Sequence, residues 1–181
     1  AGGYLSYENI ADKATVAGVE IEIRKNLFVR PVSNAAHGMN KLSLGLNGSY
    51  IYTNAKMPLA TVTTGSQLEG AAPWIVNFDL SHNFTKGERS FVNTLVLNYV
   101  SDKIYTIGTQ GYQDIMEQGV LTLDFVSQAK LNKHLSLNLK ARNLLNPSYK
   151  LSRKANENGE KVILNDYKKG INISLGVSCT F

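Results

Sequence analysis

The chain has 181 residues, of which 43% are hydrophobic and 18% charged, and its formal net charge is +5. This length corresponds to one domain. No run approaches the ~18 consecutive apolar residues of a membrane-spanning helix, and the proportion of apolar residues excludes a disordered tail. The single cysteine excludes an internal disulfide, and no Cys/His spacing predicts a metal site.

The first third of the chain alternates apolar and polar residues with a period of two, which predicts strands with one apolar face. A weak strand is predicted at 3–9, and a stronger one runs from Thr15 to Leu27. The polar face of the second strand carries Glu20, Glu22 and Arg24. The strand predicted at 41–53 places Leu42, Leu44, Leu46, Tyr50 and Tyr52 on its apolar face.

Two further strands are predicted in the middle of the chain. At 73–84 the apolar face holds Trp74, Val76, Phe78, Leu80 and Phe84, and Asp79 lies on the opposite face. At 90–101 the pattern leaves the facing open, because Val96 and Val100 oppose Leu95, Leu97 and Tyr99.

The last three predicted strands lie at 120–131, 134–145 and 171–181. Their polar positions include Asp124, Lys140 and Arg142. In the final strand Cys179 and the terminal Phe181 share the apolar face, where Cys179 is expected to act as a small hydrophobe. Eight strands are therefore predicted.

The connections between these strands alternate in length. Short turns are predicted at Thr85–Arg89 and at Asn132 and Lys133, whereas long connections are predicted at 54–72, 102–119 and 147–168. Residues 26–40, which contain Pro31, form a longer turn on the short side. This alternation is typical of an outer-membrane meander, in which the long loops face the cell exterior and the short turns face the periplasm.

A soluble β-sandwich and a membrane barrel both produce such alternation. Sandwich strands usually have five or six residues, whereas these patterns persist for about ten residues, which is close to the length that a tilted transmembrane strand requires. Interface aromatics are predicted at both ends of the apolar face: Trp74, Tyr50, Tyr52 and Tyr99 near the long loops, and Phe84 near the short turns. The charged opposite face suits a wet or plugged lumen, so the barrel is favoured.

Three segments then resemble one known family. YENIADKATVAGVEIEI, LNLKARNLLNPSY and YKKGINISLGVSCTF are similar, in family order, to segments of the C-terminal barrel of TonB-dependent outer-membrane receptors. They are most similar to receptors of Bacteroidetes-type bacteria. The resemblance implies an all-β fold: an antiparallel transmembrane β-meander of about eight strands, part of a larger 22-stranded outer-membrane barrel.

The resemblance also implies a function and partners. Residues 1–181 would be the C-terminal barrel segment of a receptor whose plug domain and TonB box are absent from this chain. The receptor would import a ferric siderophore, haem, cobalamin or glycan, energised by TonB acting through the plug. The remaining barrel strands, outer-membrane lipid, lipopolysaccharide and the barrel assembly machinery are the other expected partners. Phe181, Gly170 and Tyr167 would form the assembly signal.

No enzyme, cofactor or nucleic-acid partner is predicted. Glu20 and Glu22 could form an acid/base pair, but cross-strand ion pairs with residues such as Arg24, Lys140 or Arg142 are the favoured interpretation. His37, His82 and His134 lie on separate turns and strands, which disfavours a metal site. Asn143 and Asn146 are interpreted as turn residues beside Pro147 rather than as ligand contacts.

The connection at 147–168 and the two residues after it carry a net charge of +3, which suits lipopolysaccharide phosphates, an anionic ligand or simple solvation. Its basic residues are not interleaved with the aromatic side chains that nucleic acid requires.

Three functions follow from these observations. The first is a segment of a TonB-dependent receptor. The second is a self-contained eight-stranded outer-membrane barrel, which requires residues 3–9 to pair with the last strand. The third is a soluble β-sandwich binding module.

Overall fold

The computed structural model describes residues 13–32, 38–56, 67–108, 112–155 and 159–181. These residues form eleven strands: β1 Lys13–Pro31, β2 Met39–Lys56, β3 Trp74–Lys86, β4 Arg89–Val100, β5 Lys103–Thr106, β6 Ile115–Glu117, β7 Val120–Lys130, β8 Leu135–Arg142, β9 Ser148–Lys154, β10 Lys161–Lys168 and β11 Asn172–Cys179. In this part of the chain no helix is long and apolar enough to cross a membrane.

Seven strands form one antiparallel sheet with the order β1-β2-β3-β4-β7-β8-β11. Each is a strand that the two-residue period predicts, so the all-β antiparallel meander is confirmed. The predicted strand at 3–9 lies outside the described residues. Within the described residues β1 and β11 are the two edges of the sheet, which is therefore open.

The first hairpin is longer than predicted. β1 has 19 residues and β2 has 18, so residues 26–31 and 39–40 of the segment 26–40, which was predicted as a turn, belong to strands. The pairing register shifts between Asn26 and Phe28. Leu27, predicted on the apolar face, has no partner in the ladder, and Phe28 takes the position opposite Leu42. A bulge of this kind inserts one residue and reverses the facing beyond it, which ends the simple period.

A second sheet lies within the predicted long connections. β5, β6, β9 and β10 pair in the order β10-β9-β6-β5, so the predicted long connections at 102–119 and 147–168 contain strands that the sequence pattern did not predict. These strands have three to eight residues. Such short, polar segments show too little alternation to be recognised as strands.

The small sheet continues four strands of the large one. β5 follows β4, β6 precedes β7, β9 follows β8 and β10 precedes β11, and the neighbour order is the same in both sheets. Four interruptions separate the sheets, at 101–102, 118–119, 143–147 and 169–171. We call these interruptions the break line.

The register gives the large sheet two chemically different faces. Residues directly opposite in an antiparallel pair share a face. Leu46, Phe78, Leu97 and Leu123 form one row, and Asn47, Asn77, Asn98 and Thr122 form the neighbouring row on the other side. This register also fixes the facing of β4, because Leu95, Leu97 and Tyr99 lie opposite apolar-face residues of β3.

Aromatic pairs lie at both ends of the apolar face. The ring centroids of Tyr50 and Trp74 are 4.5 Å apart, and those of Phe84 and Phe91 are 6.4 Å apart. Trp74 and Phe84 are ten positions apart on β3. At about 3.3 Å per residue and a tilt of about 40°, ten positions span about 25 Å, the height of the apolar band of an outer-membrane barrel.

The two predicted short turns are present. Gly87 has a φ of 59° between β3 and β4. Between β7 and β8, Asn132 Oδ1 accepts hydrogen bonds from the backbone N–H groups of His134 and Leu135, at 2.8 and 2.9 Å. The Thr180 N–H donates to the His134 carbonyl at 2.9 Å, and Phe181, beyond the end of β11, is fully exposed.

The expected position of these short turns on the periplasmic side predicts which residues a reagent outside the cell can reach. In the full-length receptor with Cys179→Ser, a polyethylene-glycol maleimide too large for porins should label Lys161→Cys, in β10, on intact cells. It should label Glu88→Cys, in the β3–β4 turn, only after the outer membrane is permeabilised. Labelling of Glu88→Cys on intact cells would show that the short turns face the cell exterior, which is the opposite of the expected orientation.

Candidate functional site

A group of polar side chains occupies the polar face of β1, β2 and β3. We call it the charged cluster: Glu20, Glu22, Arg24, Asn47, Asn77 and Asp79. Asn47 Nδ2 donates to Glu20 Oε1 at 2.6 Å, and Asn77 Nδ2 donates to Asn47 Oδ1 at 3.3 Å. Arg24 Nε donates to Glu22 Oε1 in an ion pair. The cluster therefore links three strands through side chains.

Gly45 makes room for the acid of this cluster. The register places Gly45 directly between Arg24 on β1 and Asp79 on β3. A Cβ atom on Gly45 would overlap the Asp79 carboxylate, so that carboxylate lies over the glycine backbone. A side chain at this position would displace the acid from its place between the strands.

The partners of the acidic residues differ from the prediction. Glu22 pairs with Arg24 along the same strand, and Glu20 bonds to an amide rather than to a cation. Lys140 and Arg142 lie on β8, five strands from β1 in the sheet order. At about 4.8 Å per strand this separation is about 24 Å, too far for an ion pair. Sequence reasoning missed these partners because it could not fix the register between neighbouring strands.

A second group of side chains lies beside the break line. The rings of Tyr149 and Tyr167 are stacked, with centroids 5.5 Å apart and planes at 21°. Lys169 Nζ lies 3.9 Å from the centroid of the Tyr149 ring, within cation–π range. A cavity of about 290 Å³ is lined by Tyr149, Lys169 and polar-face residues of β4 and β7. We call Tyr149, Tyr167 and Lys169 the tyrosine–lysine group.

Two ion pairs join strands of the small sheet, and the first of them lines this cavity. Lys103 Nζ lies 3.3 Å from Glu117 Oε2, and Lys150 Nζ lies 3.7 Å from Asp166 Oδ2. Both pairs join residues directly opposite in the ladder. Because all four side chains are partly exposed, each pair contributes at most about 1 kcal/mol.

Side chains satisfy the backbone at the break line. Asp102 Oδ1 accepts from the Gly119 N–H at 2.6 Å, and Asp124 Oδ1 accepts from the Asn143 N–H at 2.8 Å. Asn143 Nδ2 donates to the Gly170 carbonyl at 2.7 Å, and Asn146 Oδ1 accepts from the Gly170 N–H at 3.1 Å. Both asparagines have a positive φ, and the Asn146 N–H donates to the Asn143 carbonyl at 2.9 Å, as the predicted turn requires. Their side chains, however, bond to Gly170 and not to their own backbone, and Asp124 has a structural partner.

Two residues of the expected assembly signal also lie here. Gly170 has a φ of 80°, and Tyr167 stacks on Tyr149, so both have structural reasons for their identity. They lie at the opposite end of β11 from Phe181. Their part in assembly stays a prediction.

Asn143 provides a test of the break line. Its φ of 59° is left-handed, and its side chain donates to the carbonyl of Gly170, two residues before β11. Asn143→Ala should lower the free energy of unfolding of the full-length receptor by about 1–3 kcal/mol, because it adds backbone strain and removes a hydrogen bond.

Asn143→Gly, measured by denaturant unfolding in the same detergent, should recover the part due to strain. Equal losses in the two variants would assign the whole effect to the side-chain hydrogen bond and contradict the strain argument.

The histidines lie apart from these groups. His82 Nε2 lies 2.8 Å from Asn40 Oδ1, and His134 Nδ1 lies 2.8 Å from the Thr180 carbonyl. His37 lies outside the described residues. In the described part of the chain, no group of three His, Cys, Asp or Glu side chains is arranged to hold a metal ion.

Comparison with known proteins identifies the family. A family model described as "TonB dependent receptor-like, beta-barrel" matches residues 1–144, which is most of the chain. No curated protein and no solved structure matches the chain significantly. Members of this family are outer-membrane transporters of Gram-negative bacteria rather than enzymes, and they carry a plug domain and work with TonB. The match and the antiparallel sheet agree, and the chain belongs to the TonB-dependent receptor β-barrel family.

Proposed function

We propose that this chain forms part of the wall of a receptor that imports a scarce, bulky nutrient: a ferric siderophore, haem, cobalamin or glycan. The observation that carries the proposal is the division of the large sheet into an apolar face with aromatic ends and a polar face with the charged cluster. An outer-membrane barrel turns the first face to lipid and the second to its lumen.

The charged cluster faces the plug in this arrangement. Its hydrogen bonds and its ion pair hold carboxylates and amides in fixed positions on the wall. Such groups give the plug polar partners that exchange readily with water when TonB moves it. They do not need to take part in chemistry.

The tyrosine–lysine group contacts the nutrient in this proposal. It lies beyond the membrane sheet, on the side of the long connections, where a ligand from outside arrives first. Two stacked rings and an ammonium group offer flat surfaces and one positive charge. These suit a planar or sugar-containing ligand that carries negative charge.

Uptake by a strain that lacks the receptor gene tests the proposal. Restoring the full-length receptor should restore uptake of one of the four nutrient classes, and deletion of TonB should abolish it. Tyr149→Ala should weaken ligand binding without changing receptor abundance. The matched control is Tyr52→Ala, because Tyr52 lies on the apolar face. TonB-independent uptake would contradict the function, and equal effects of the two variants would contradict the contact.

The small sheet also supports contact with lipopolysaccharide. β9 and β10 carry five cations: Lys150, Arg153, Lys154, Lys161 and Lys168. Lys150 is paired with Asp166, and β10 is exposed along its whole length. An exposed basic strand just outside the membrane is complementary to lipopolysaccharide phosphates.

A further inference from the structure

Polar side chains interrupt the apolar face of the large sheet near the short turns. The register places His82, Asn93 and Ser127 in one row of that face, opposite Leu42 on one side and Leu139 on the other. The next row toward the turns begins with Arg30, Asn40 and Phe84. We call the five polar residues the outer polar patch: Arg30, Asn40, His82, Asn93 and Ser127.

The bulge in β1 places Arg30 in this patch. Beyond the bulge, Phe28 lies opposite Leu42 and Arg30 lies opposite Asn40, so both face outward. The Arg30 guanidinium carbon lies 5.5 Å from the centroid of the Phe28 ring, which confirms that they share a face. Without the bulge Arg30 would face the lumen.

The patch presents donors rather than acceptors. Ser127 Oγ donates to Asn93 Oδ1 at 2.7 Å, and the Asn40 Oδ1 atom lies 2.8 Å from His82 Nε2. Both amide oxygens are therefore occupied, whereas neither amide Nδ2 has an acceptor among the described residues. An amide N–H that faces lipid without an acceptor is costly. The surrounding lipid must therefore supply oxygen atoms at this depth.

Cations lie nearer the turns on the same face. Lys86 and Arg89 are opposite each other, one row beyond the Phe84–Phe91 pair. Among the described residues, Arg30, Lys86 and Arg89 take part in no ion pair. Glu88 in the turn leaves a net charge of +2 for this group, with His82 neutral.

The order of these groups along the strand matches the chemistry of a phospholipid. Four positions separate His82 from Lys86 on β3, which corresponds to about 10 Å of depth in a tilted strand. A phospholipid carries its phosphate outermost and its ester carbonyls on the hydrocarbon side, and all of these oxygens are acceptors. Cations near the turn and amide donors deeper in the membrane are arranged in the same order.

We propose that the outer polar patch, with Lys86 and Arg89, binds the head group of an anionic phospholipid from the periplasmic leaflet. The phosphate lies among the three cations, and Asn40 and Asn93 donate to the ester carbonyls. The proposal depends on the transmembrane fold and the orientation of its short turns, and not on which nutrient the receptor imports.

Native mass spectrometry tests this. The full-length receptor is released from micelles that contain phosphatidylglycerol or phosphatidylcholine, and the lipid that stays bound to it is measured. The wild type should retain phosphatidylglycerol preferentially. Arg30→Gln should lower that retention about tenfold, the loss expected for one charge-assisted hydrogen bond. The matched control is Lys41→Gln, which removes one positive charge from the residue after Asn40, on the opposite face.

A second variant separates lipid binding from folding. His82→Leu restores the apolar alternation of β3, so it should lower phosphatidylglycerol retention without lowering the free energy of unfolding. Equal retention by Arg30→Gln and Lys41→Gln, or equal retention of the two lipids by the wild type, would overturn the proposal. The proposal would also be overturned if Arg30→Gln lost bound lipopolysaccharide, or its oligomeric state, and kept phosphatidylglycerol.

Discussion

Leu80→Arg should lower the free energy of unfolding of the full-length receptor in lipid by about 2–4 kcal/mol. Leu80 lies on the apolar face of β3, six positions from Trp74 and four from Phe84, with Leu44 and Leu95 directly opposite. An arginine there places its charge near the middle of the bilayer, the depth at which such substitutions cost most.

The matched control is the next residue on the same strand. Ser81 lies on the polar face, and its Oγ lies 3.1 Å from Thr94 Oγ1. Ser81→Arg should cost about 1 kcal/mol, the worth of that hydrogen bond, because its charge faces a wet lumen. Urea unfolding of both variants in the same vesicles makes the comparison. Equal costs would indicate that both faces meet the same environment, as in a soluble protein.

Phe181→Ser should lower several-fold the amount of receptor that reaches the outer membrane. The resemblance implies that the barrel assembly machinery recognises the aromatic residue that follows the last strand, and this recognition precedes pairing of that strand. In the sheet of the described residues Phe181 lies beyond the last paired residues, so its loss removes little packing from this sheet. The assembled fraction should keep its stability and its ligand affinity.

The conservative variant Phe181→Tyr separates recognition from other effects. It keeps an aromatic ring at the end of the chain, so abundance in isolated outer membranes should stay near that of the wild type. Thr180→Ala controls for changes next to the terminus. Normal abundance of Phe181→Ser would refute the assembly role. A reduced unfolding midpoint of its assembled fraction would instead indicate a packing role.

The sequence predicts the membrane sheet well because its cause is local. Each long strand must turn every second residue toward lipid, so β2, β3 and β7 show the period directly. The break in the period at Leu27 cannot be interpreted from the sequence alone. One inserted residue exchanges the faces, and only the register with β2 shows that Arg30 then faces outward.

The sites depend on non-local pairing, which the sequence does not supply. Glu20 and Asn47 are bonded, yet they lie in different strands and neither has a distinctive spacing. Tyr149 and Tyr167 stack because β9 and β10 pair within the predicted long connection at 147–168. Asn143 and Asn146 were interpretable as turn residues because their turn is local: both have a positive φ, and the Asn146 N–H donates to the Asn143 carbonyl.

The pairing requirement on the sequence changes at the break line, where four strands of the large sheet continue into the small sheet. Below it, the ladder from β1 to β11 needs strict alternation, whereas above it the strands need only pair with each other. The side chains of Asp102, Asp124, Asn143 and Asn146 close the backbone at the boundary, so the lower ladder ends cleanly there. β5, β6, β9 and β10 therefore form a separate pairing unit, so their side chains can change without disturbing the alternation that the membrane ladder requires.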